Sequence, residues 1–373
     1  MEAAGQALCL FGFSFLLALL LTPLARKTAL RLKILDYPAS RKVHLAPTPL
    51  LGGAAVYLAF SLPIFYWLEI SRPFLGVFLS SSLIFVIGLL NDLYGLSTKS
   101  RLIFQFLATF LMIGCGVQIS FLPHTLWGDA GEVLLTLLWV IGLTNAVNFL
   151  DGLDGLAAGL TAIAALFFCL ISFQAQDIYP ALVAAALIGS SLGFLPYNFR
   201  SPRAYLEKRL FQRRTRSPQA LIFLGDAGAT FLGTLLAGLS MLGGLAENHA
   251  VALAIPILLL GVPIFDMTLT TVMRSREGKV RSVTDWLNYA GKDHFHHRLV
   301  DLGFTPMGSV FFIYVVSIVL GLGAFGLRRG DTLDAFVILL EGCLLFVLIA
   351  LLMISGQHAS ERLKKAVDKF NAL

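Results

Sequence analysis

The stretch NAVNFLDGLDGLAAGL, residues 145–160, decides how this chain is read. It leaves one apolar run, EVLLTLLWVIGLT (132–144), and enters another, TAIAALFFCLISF (161–173). Each run is apolar on every side, unlike the one-faced stripe of a soluble surface helix. Asp151 and Asp154 stand at the junction, with Asn145 and Asn148 before them. At the centre of a bilayer a carboxylate costs about 2.5–3.5 kcal/mol on insertion scales. The stretch is therefore a turn at a membrane surface between two crossing helices, and its acids need a functional justification.

The rest of the chain agrees. It is 57% hydrophobic and 13% charged, where a soluble domain is about 25% charged. An all-α, polytopic integral membrane protein is expected. A crossing helix takes about 20 mostly apolar residues, and the pattern predicts about eleven spans. They are 7–25, 50–70, 73–92, 101–122, 132–150, 156–174, 179–197, 228–245, 250–273, 308–328 and 333–354. The first is not expected to be a cleaved signal, because Arg26 and Lys27 follow it and no Lys or Arg precedes it. No repeat or low-complexity stretch divides the chain, so residues 1–373 read as one membrane-embedded domain with 355–373 as a cytoplasmic tail. Cys9, Cys115, Cys169 and Cys343 all lie in apolar runs and read as small buried hydrophobes.

Charge fixes the expected orientation. With eleven spans, 25 of the 28 Lys and Arg residues fall on one face, and Arg72, Arg328 and Arg329 on the other. Short loops rich in Lys and Arg stay cytoplasmic, so the N-terminus is predicted outside and the C-terminus inside. The net charge of +6 belongs to these loops and implies a membrane partner, not a nucleic acid.

Four polar clusters fall on the predicted cytoplasmic face. They are Asn91-Asp92 in GLLNDLYGLSTKSRL (88–102), with Lys99 following; Asn148, Asp151 and Asp154; Asp226 in FLGDAGATFLG (223–233); and Asp293, His294, His296, His297 and Arg298 in GKDHFHHRL (291–299). Each has a competing reading: a plain helix end for Asp92, a solvated turn for Asp151 and Asp154, a helix N-cap for Asp226, a solvated loop or a zinc site for the histidines. The H-x-H-H spacing suits zinc poorly. Together, hard carboxylates without thiolates suit Mg2+, with Mn2+ as an alternative, and the neighbouring Lys and Arg suit phosphate. A phosphate-bearing substrate handled at the membrane face is the inference. Asp266, just after Pro263, is expected to lie near a helix break that opens a lateral groove for a lipid chain.

These motifs, with RKVHLAPTPLLGG (41–53), resemble the polyprenyl-phosphate N-acetylhexosamine-1-phosphate transferases, in that family's order and over roughly residues 20–305. The eleven spans and the H-x-H-H loop resemble the branch using UDP-N-acetylglucosamine or a related UDP-HexNAc. The resemblance implies transfer of HexNAc-1-phosphate to a polyprenyl phosphate, with release of UMP, in the inner membrane of a bacterium. It would start a lipid-linked cell-surface glycan such as lipopolysaccharide O-antigen, and a homodimer is compatible with it. By similarity Asp92, Asp151 and Asp226 are the catalytic candidates, and Asp226 with Asp92 the metal ligands. Lys99, Asn148, Asp154, His294, His296, His297 and Arg298 are the substrate-binding candidates.

The chain departs from the family at three places. Asn91 replaces the first of two adjacent aspartates, Ala227 and Ala229 replace small hydroxyl residues, and a long basic stretch (200–221) precedes Asp226. That stretch is expected to lie on anionic lipid as an amphipathic helix. Asn91 raises a rival reading, a catalytically weakened relative that binds sugar nucleotide or lipid. A transporter for a phosphorylated solute is disfavoured, since the acids crowd one face and no internal repeat is evident.

Overall fold

The computed structural model describes residues 2–38, 47–199, 220–280, 291 and 293–371, with backbone alone from 357 onward. The basic stretch up to 219 and the first part of the 41–53 motif fall outside these residues. In chain order the helices are α1 (Glu2–Leu32), α2 (Gly52–Trp67), α3 (Arg72–Tyr94), α4 (Thr98–Gly114), α5 (Leu126–Leu150), α6 (Leu156–Gln174), α7 (Ile178–Asn198), α8 (Gly225–Leu242), α9 (His249–Leu259), α10 (Gly261–Arg276), α11 (Phe295–Asp301), α12 (Pro306–Leu327) and α13 (Thr332–Asn371). One short antiparallel pair joins β1 (Leu35–Asp36) to β2 (Thr48–Pro49), with Leu35 opposite Pro49.

Each expected span coincides with one helix, except that 250–273 is the pair α9 and α10. Among the described residues eight helices are long and apolar enough to cross a membrane, and the bent pair, counted as one span, makes a ninth. Helix α2, with 16 residues, and α4, with 17, are shorter. The bend between α9 and α10 is 72°. It falls at Leu260, not at Pro263 as expected. Pro263 sits in the first turn of α10, where its missing N–H is tolerated, and the carbonyl one turn earlier, at Leu259, loses its helical partner.

Helix α8 is the axis of the bundle, and most of its side chains are buried. Its small residues let neighbouring backbones come close. A Cβ on Gly53 of α2 would lie 2.4 Å from the Gly228 nitrogen, so only glycine fits that crossing. Helices α3, α5 and α2 pack on α8, and α1 lies outside against α7 and α2. Apolar packing gives little net drive inside lipid, so hydroxyl contacts add specificity. Thr144 on α5 bonds Thr234 on α8 at 2.9 Å, and Trp139 Nε1 donates to Ser240 Oγ at 2.9 Å. Large apolar side chains of α1, α4, α12 and α13 face outward, as a lipid-facing surface requires. Cys9 and Cys343 lie on that surface and correct the expectation of four buried cysteines; of the four only Cys169 is fully buried. In lipid an outward thiol meets an apolar medium, so it has no need to turn inward.

Candidate active site

The acidic clusters meet at one end of the bundle. Asp92 lies in the last turn of α3. Its Oδ1 accepts the Asp226 N–H at 2.9 Å and its Oδ2 the Ala227 N–H at 3.1 Å. It therefore caps the N-terminus of α8 from another helix, satisfying donors that have no intrahelical partner. The N-cap reading of Asp226 is corrected. The N-cap position is Leu224, which offers no side-chain acceptor, and Asp226 falls inside the first turn. Gly225 before it has φ +75°, and a Cβ there would sit 2.6 Å from Asp92 Oδ2.

The side chain of Asp226 is one-third exposed. Its Oδ2 accepts from Asn91 Nδ2 and faces Arg101 Nη1 at 3.4 Å. Its Oδ1 has no hydrogen bond among the described residues. Arg101, counted from sequence only as a loop charge, is thus a site residue. Lys99, two residues earlier in α4, is exposed and pairs with no described side chain.

The turn after α5 forms the next wall. Asp151 is the C-cap of α5. Burial, and then the charges of Asp226, Asp92 and Asp154, push its carboxyl well above the usual carboxylate range. Asp154 Oδ2 accepts the Ala220 N–H at 3.2 Å. Two residues not singled out from sequence hold this turn. Asn198 Oδ1 accepts the Gly155 N–H at 2.9 Å while its Nδ2 donates to the Ile222 carbonyl at 3.0 Å. The Tyr314 hydroxyl donates to the Gly155 carbonyl at 2.6 Å. Asn145 is further from the chemistry. It exchanges side-chain bonds of 2.9 and 3.3 Å with Gln105 of α4. Asn148 is partly buried, and its carbonyl accepts the Asp151 N–H at 3.1 Å.

The histidines close the site from α11. His296 is fully buried, and neither ring nitrogen has a hydrogen-bond partner among the described residues. A Cβ on Gly152 would lie 2.3 Å from its Nε2, so the ring rests directly on the acidic turn. Burial and the neighbouring His297 and His294 hold its pKa well below the ordinary value. The His294 ring lies 5.0 Å from the Phe149 ring and parallel to that of His296. The His297 ring is 4.2 Å from that of His296. Arg298 Nε donates to the Asp293 carbonyl at 2.7 Å.

Among the described residues no group of three or more His, Cys, Asp or Glu side chains is arranged to hold a metal. Magnesium keeps its waters and takes one or two protein carboxylates beside phosphate oxygens. Asp226, with one unengaged oxygen, and Asp151, crowded by like charge, have the required chemistry.

An apolar cavity of about 640 Å³ runs between α5 and the bent α9–α10 pair. It is lined by residues such as Leu138, Trp139, Ala146, Pro256, Ile264 and Met267. Its inner end at Ala146 lies five residues before Asp151, about 7.5 Å along α5.

Fold and site define a polytopic helical membrane protein with an acidic and imidazole-bearing centre at one end of the bundle and a separate apolar groove beside α5. The profile of Glycosyl transferase family 4 matches residues 74–244. A probable undecaprenyl-phosphate N-acetylglucosaminyl 1-phosphate transferase of Bacillus subtilis is 30% identical, over 93% of this chain and 90% of that protein. A decaprenyl-phosphate N-acetylglucosaminephosphotransferase of Mycobacterium tuberculosis is 33% identical, over 81% and 76%. The undecaprenyl-phosphate alpha-N-acetylglucosaminyl 1-phosphate transferase of Escherichia coli K12 is 26% identical, over 82% and 80%. The chain belongs to glycosyl transferase family 4.

Proposed function

We propose that the protein transfers N-acetylglucosamine-1-phosphate from UDP-N-acetylglucosamine to a membrane polyprenyl phosphate, giving polyprenyl-diphospho-N-acetylglucosamine and UMP. An oxygen of the lipid phosphate attacks the β-phosphorus of the sugar nucleotide. The bond from that phosphorus to the bridging oxygen breaks, and the oxygen leaves with UMP. The observation that carries this reading is the meeting of Asp226, Asp151 and His296 at one end of the bundle, on the same helix α5 whose Ala146, about 7.5 Å earlier, ends the lining of an apolar groove. The groove offers the prenyl chain an apolar bed, and the acids sit where its phosphate would emerge.

In this reading Asp226 and Asp151 would hold Mg2+, which would supply charge neutralisation for the two anions that must meet. Asp92, expected from sequence as a metal ligand beside Asp226, instead engages both oxygens with the N–H groups of Asp226 and Ala227 and so fixes Asp226 by capping α8. Arg101 and Lys99 offset phosphate charge, and Asn148 with Asp154 shapes the nucleotide pocket. His296, His297 and Arg298 receive the nucleotide sugar. The chain crosses the bacterial inner membrane eleven times, N-terminus out and C-terminus in, with this site on the cytoplasmic face. The charge distribution of the loops supports that orientation. The short α2 and α4, about 24–26 Å long, cross with local bilayer adjustment.

The test is direct. Purified protein in lipid, given radiolabelled UDP-N-acetylglucosamine, polyprenyl phosphate and Mg2+, should form a lipid-linked product and UMP. Chelation should stop it, and readdition of Mg2+ or Mn2+ should restore it. Asp226→Asn should lower turnover by at least about a hundredfold, the scale of losing a main charge-stabilising group. Product formed equally well by that variant would refute the site assignment.

A further inference from the structure

Helix α10 bears two buried groups that the proposed chemistry leaves unused, Asp266 and Arg274. They are two turns apart, and both reach the segment that starts α11. Asp266 Oδ1 accepts the Phe295 N–H at 2.5 Å, and its Oδ2 lies 2.8 Å from His294 Nδ1. Arg274 forks onto Asp293, with Nε to Oδ2 and Nη2 to Oδ1 both at 2.7 Å. The same Nη2 lies 3.4 Å from His294 Nε2.

This geometry selects one tautomer. A guanidinium has donors only, so His294 Nε2 facing Arg274 must be the acceptor. The proton then sits on Nδ1 and is donated to Asp266. With both nitrogens engaged inside the protein, His294 has no ring nitrogen left for a substrate. Its partner in the motif differs: the buried His296 nitrogens have no hydrogen-bond partner among the described residues, and the ring lies against Gly152 of the acidic turn.

We propose that Asp266 is a positioning residue for nucleotide-sugar binding: it sets the His294 tautomer and the first turn of α11, and thereby seats His296 on the Asp151–Gly152 turn. This rests on the transferase reading for its substrate, though not for its geometry. Asp266→Asn keeps size and shape but brings an N–H toward His294 Nδ1. The ring proton must then move to Nε2, where it meets the Arg274 N–H. The latch breaks although no volume changes.

Two measurements test it on the full-length protein in lipid nanodiscs. The first is nitrogen-15 spectroscopy of labelled histidines, with the His294 signal identified by its loss in His294→Gln. The expected result is an Nδ1-protonated His294 that becomes Nε2-protonated in Asp266→Asn. An Nε2 proton in the unaltered protein, or no change in the variant, overturns the proposal. The second is kinetic. Asp266→Asn should lower kcat/KM for UDP-N-acetylglucosamine about 10- to 100-fold, the usual range for an outer-shell partner. It should leave KM for polyprenyl phosphate within about twofold. The same change made on a His294→Gln background should cost nothing further. Additive losses, or a loss falling equally on both substrates, would show that Asp266 acts otherwise. If the unaltered protein forms no lipid-linked product, the transferase reading falls, while the tautomer measurement still decides this one.

Discussion

Asn91 donates its side-chain N–H to Asp226 and accepts the Leu96 N–H at 2.8 Å, so both ends of one amide are used. A carboxylate there would face Asp226 with like charge and lose the donor. Asn91→Asp should therefore destabilise the metal-free protein by about 1.5–3 kcal/mol, the scale of a hydrogen bond to a charged group. Added Mg2+ should recover most of that loss, because a third carboxylate strengthens cation binding. Thermal unfolding with and without the ion reads both effects, and an unaffected metal-free midpoint would contradict the contact. His296 gives a pH prediction. Its folded pKa lies well below the ordinary value, so below about pH 6.5 the unfolded chain binds a proton that the folded chain refuses. Stability should fall as pH drops below about 6.5 and be flat above it for this group, with a limiting slope of about 1.4 kcal/mol per pH unit. His296→Phe should remove that slope, as denaturation midpoints at pH 5.5 and 7.5 would report. At this scale the sequence was legible where motifs crowd together, as in DGLDG. It was opaque where a residue matters through a partner far along the chain. Arg101 meets Asp226 across 125 positions and Asn198 meets Gly155 across 43, and no local pattern marks either pairing.

Elements carry the acids to one place and also shape the groove. The break between α9 and α10 was readable in kind but not in position, because a proline announces a missing N–H while the bend settles wherever packing permits, here at Leu260. The other end of the groove depends on a buried carboxylate. Glu132 on α5 is 2% exposed, and its Oε1 accepts the N–H groups of Phe121 and Leu122 at 2.7 and 2.8 Å. Thr136, one turn on, accepts the Ile119 N–H at 3.0 Å. These bonds shape the segment from Gln118 to Phe121, which lines the cavity. Glu132→Ala strands two backbone donors, at about 1–3 kcal/mol each. It should lower the unfolding midpoint and raise KM for polyprenyl phosphate without altering that for UDP-N-acetylglucosamine. Glu132→Gln keeps an acceptor oxygen and should be mild by both measures. Equal behaviour of the two variants would mean that the carboxylate does not hold the loop.

Across the whole molecule the decisive quantity is which end faces the cytoplasm. Helix α5 runs from Leu126 to Leu150, 25 residues or about 37 Å, which exceeds the roughly 30 Å hydrocarbon core. Its two ends must then lie on opposite sides. Trp127 at the start is 85% exposed, and Asp151 caps the end beside Asp226. Tyr94, 76% exposed, sits two residues beyond Asp92 and so shares the site's end. The proposed orientation puts that end inside, on the strength of the Lys and Arg excess in its loops. A version with Cys9, Cys115, Cys169 and Cys343 replaced by alanine supplies the background. In intact bacterial cells made permeable only at the outer barrier, Trp127→Cys should react with a membrane-impermeant maleimide. Tyr94→Cys should react only after the inner membrane is lysed. The reverse pattern would turn the molecule over and put the acids outside, away from any cytoplasmic sugar nucleotide. Labelling of both in intact cells would break the 25-residue crossing on which the placement of the site depends.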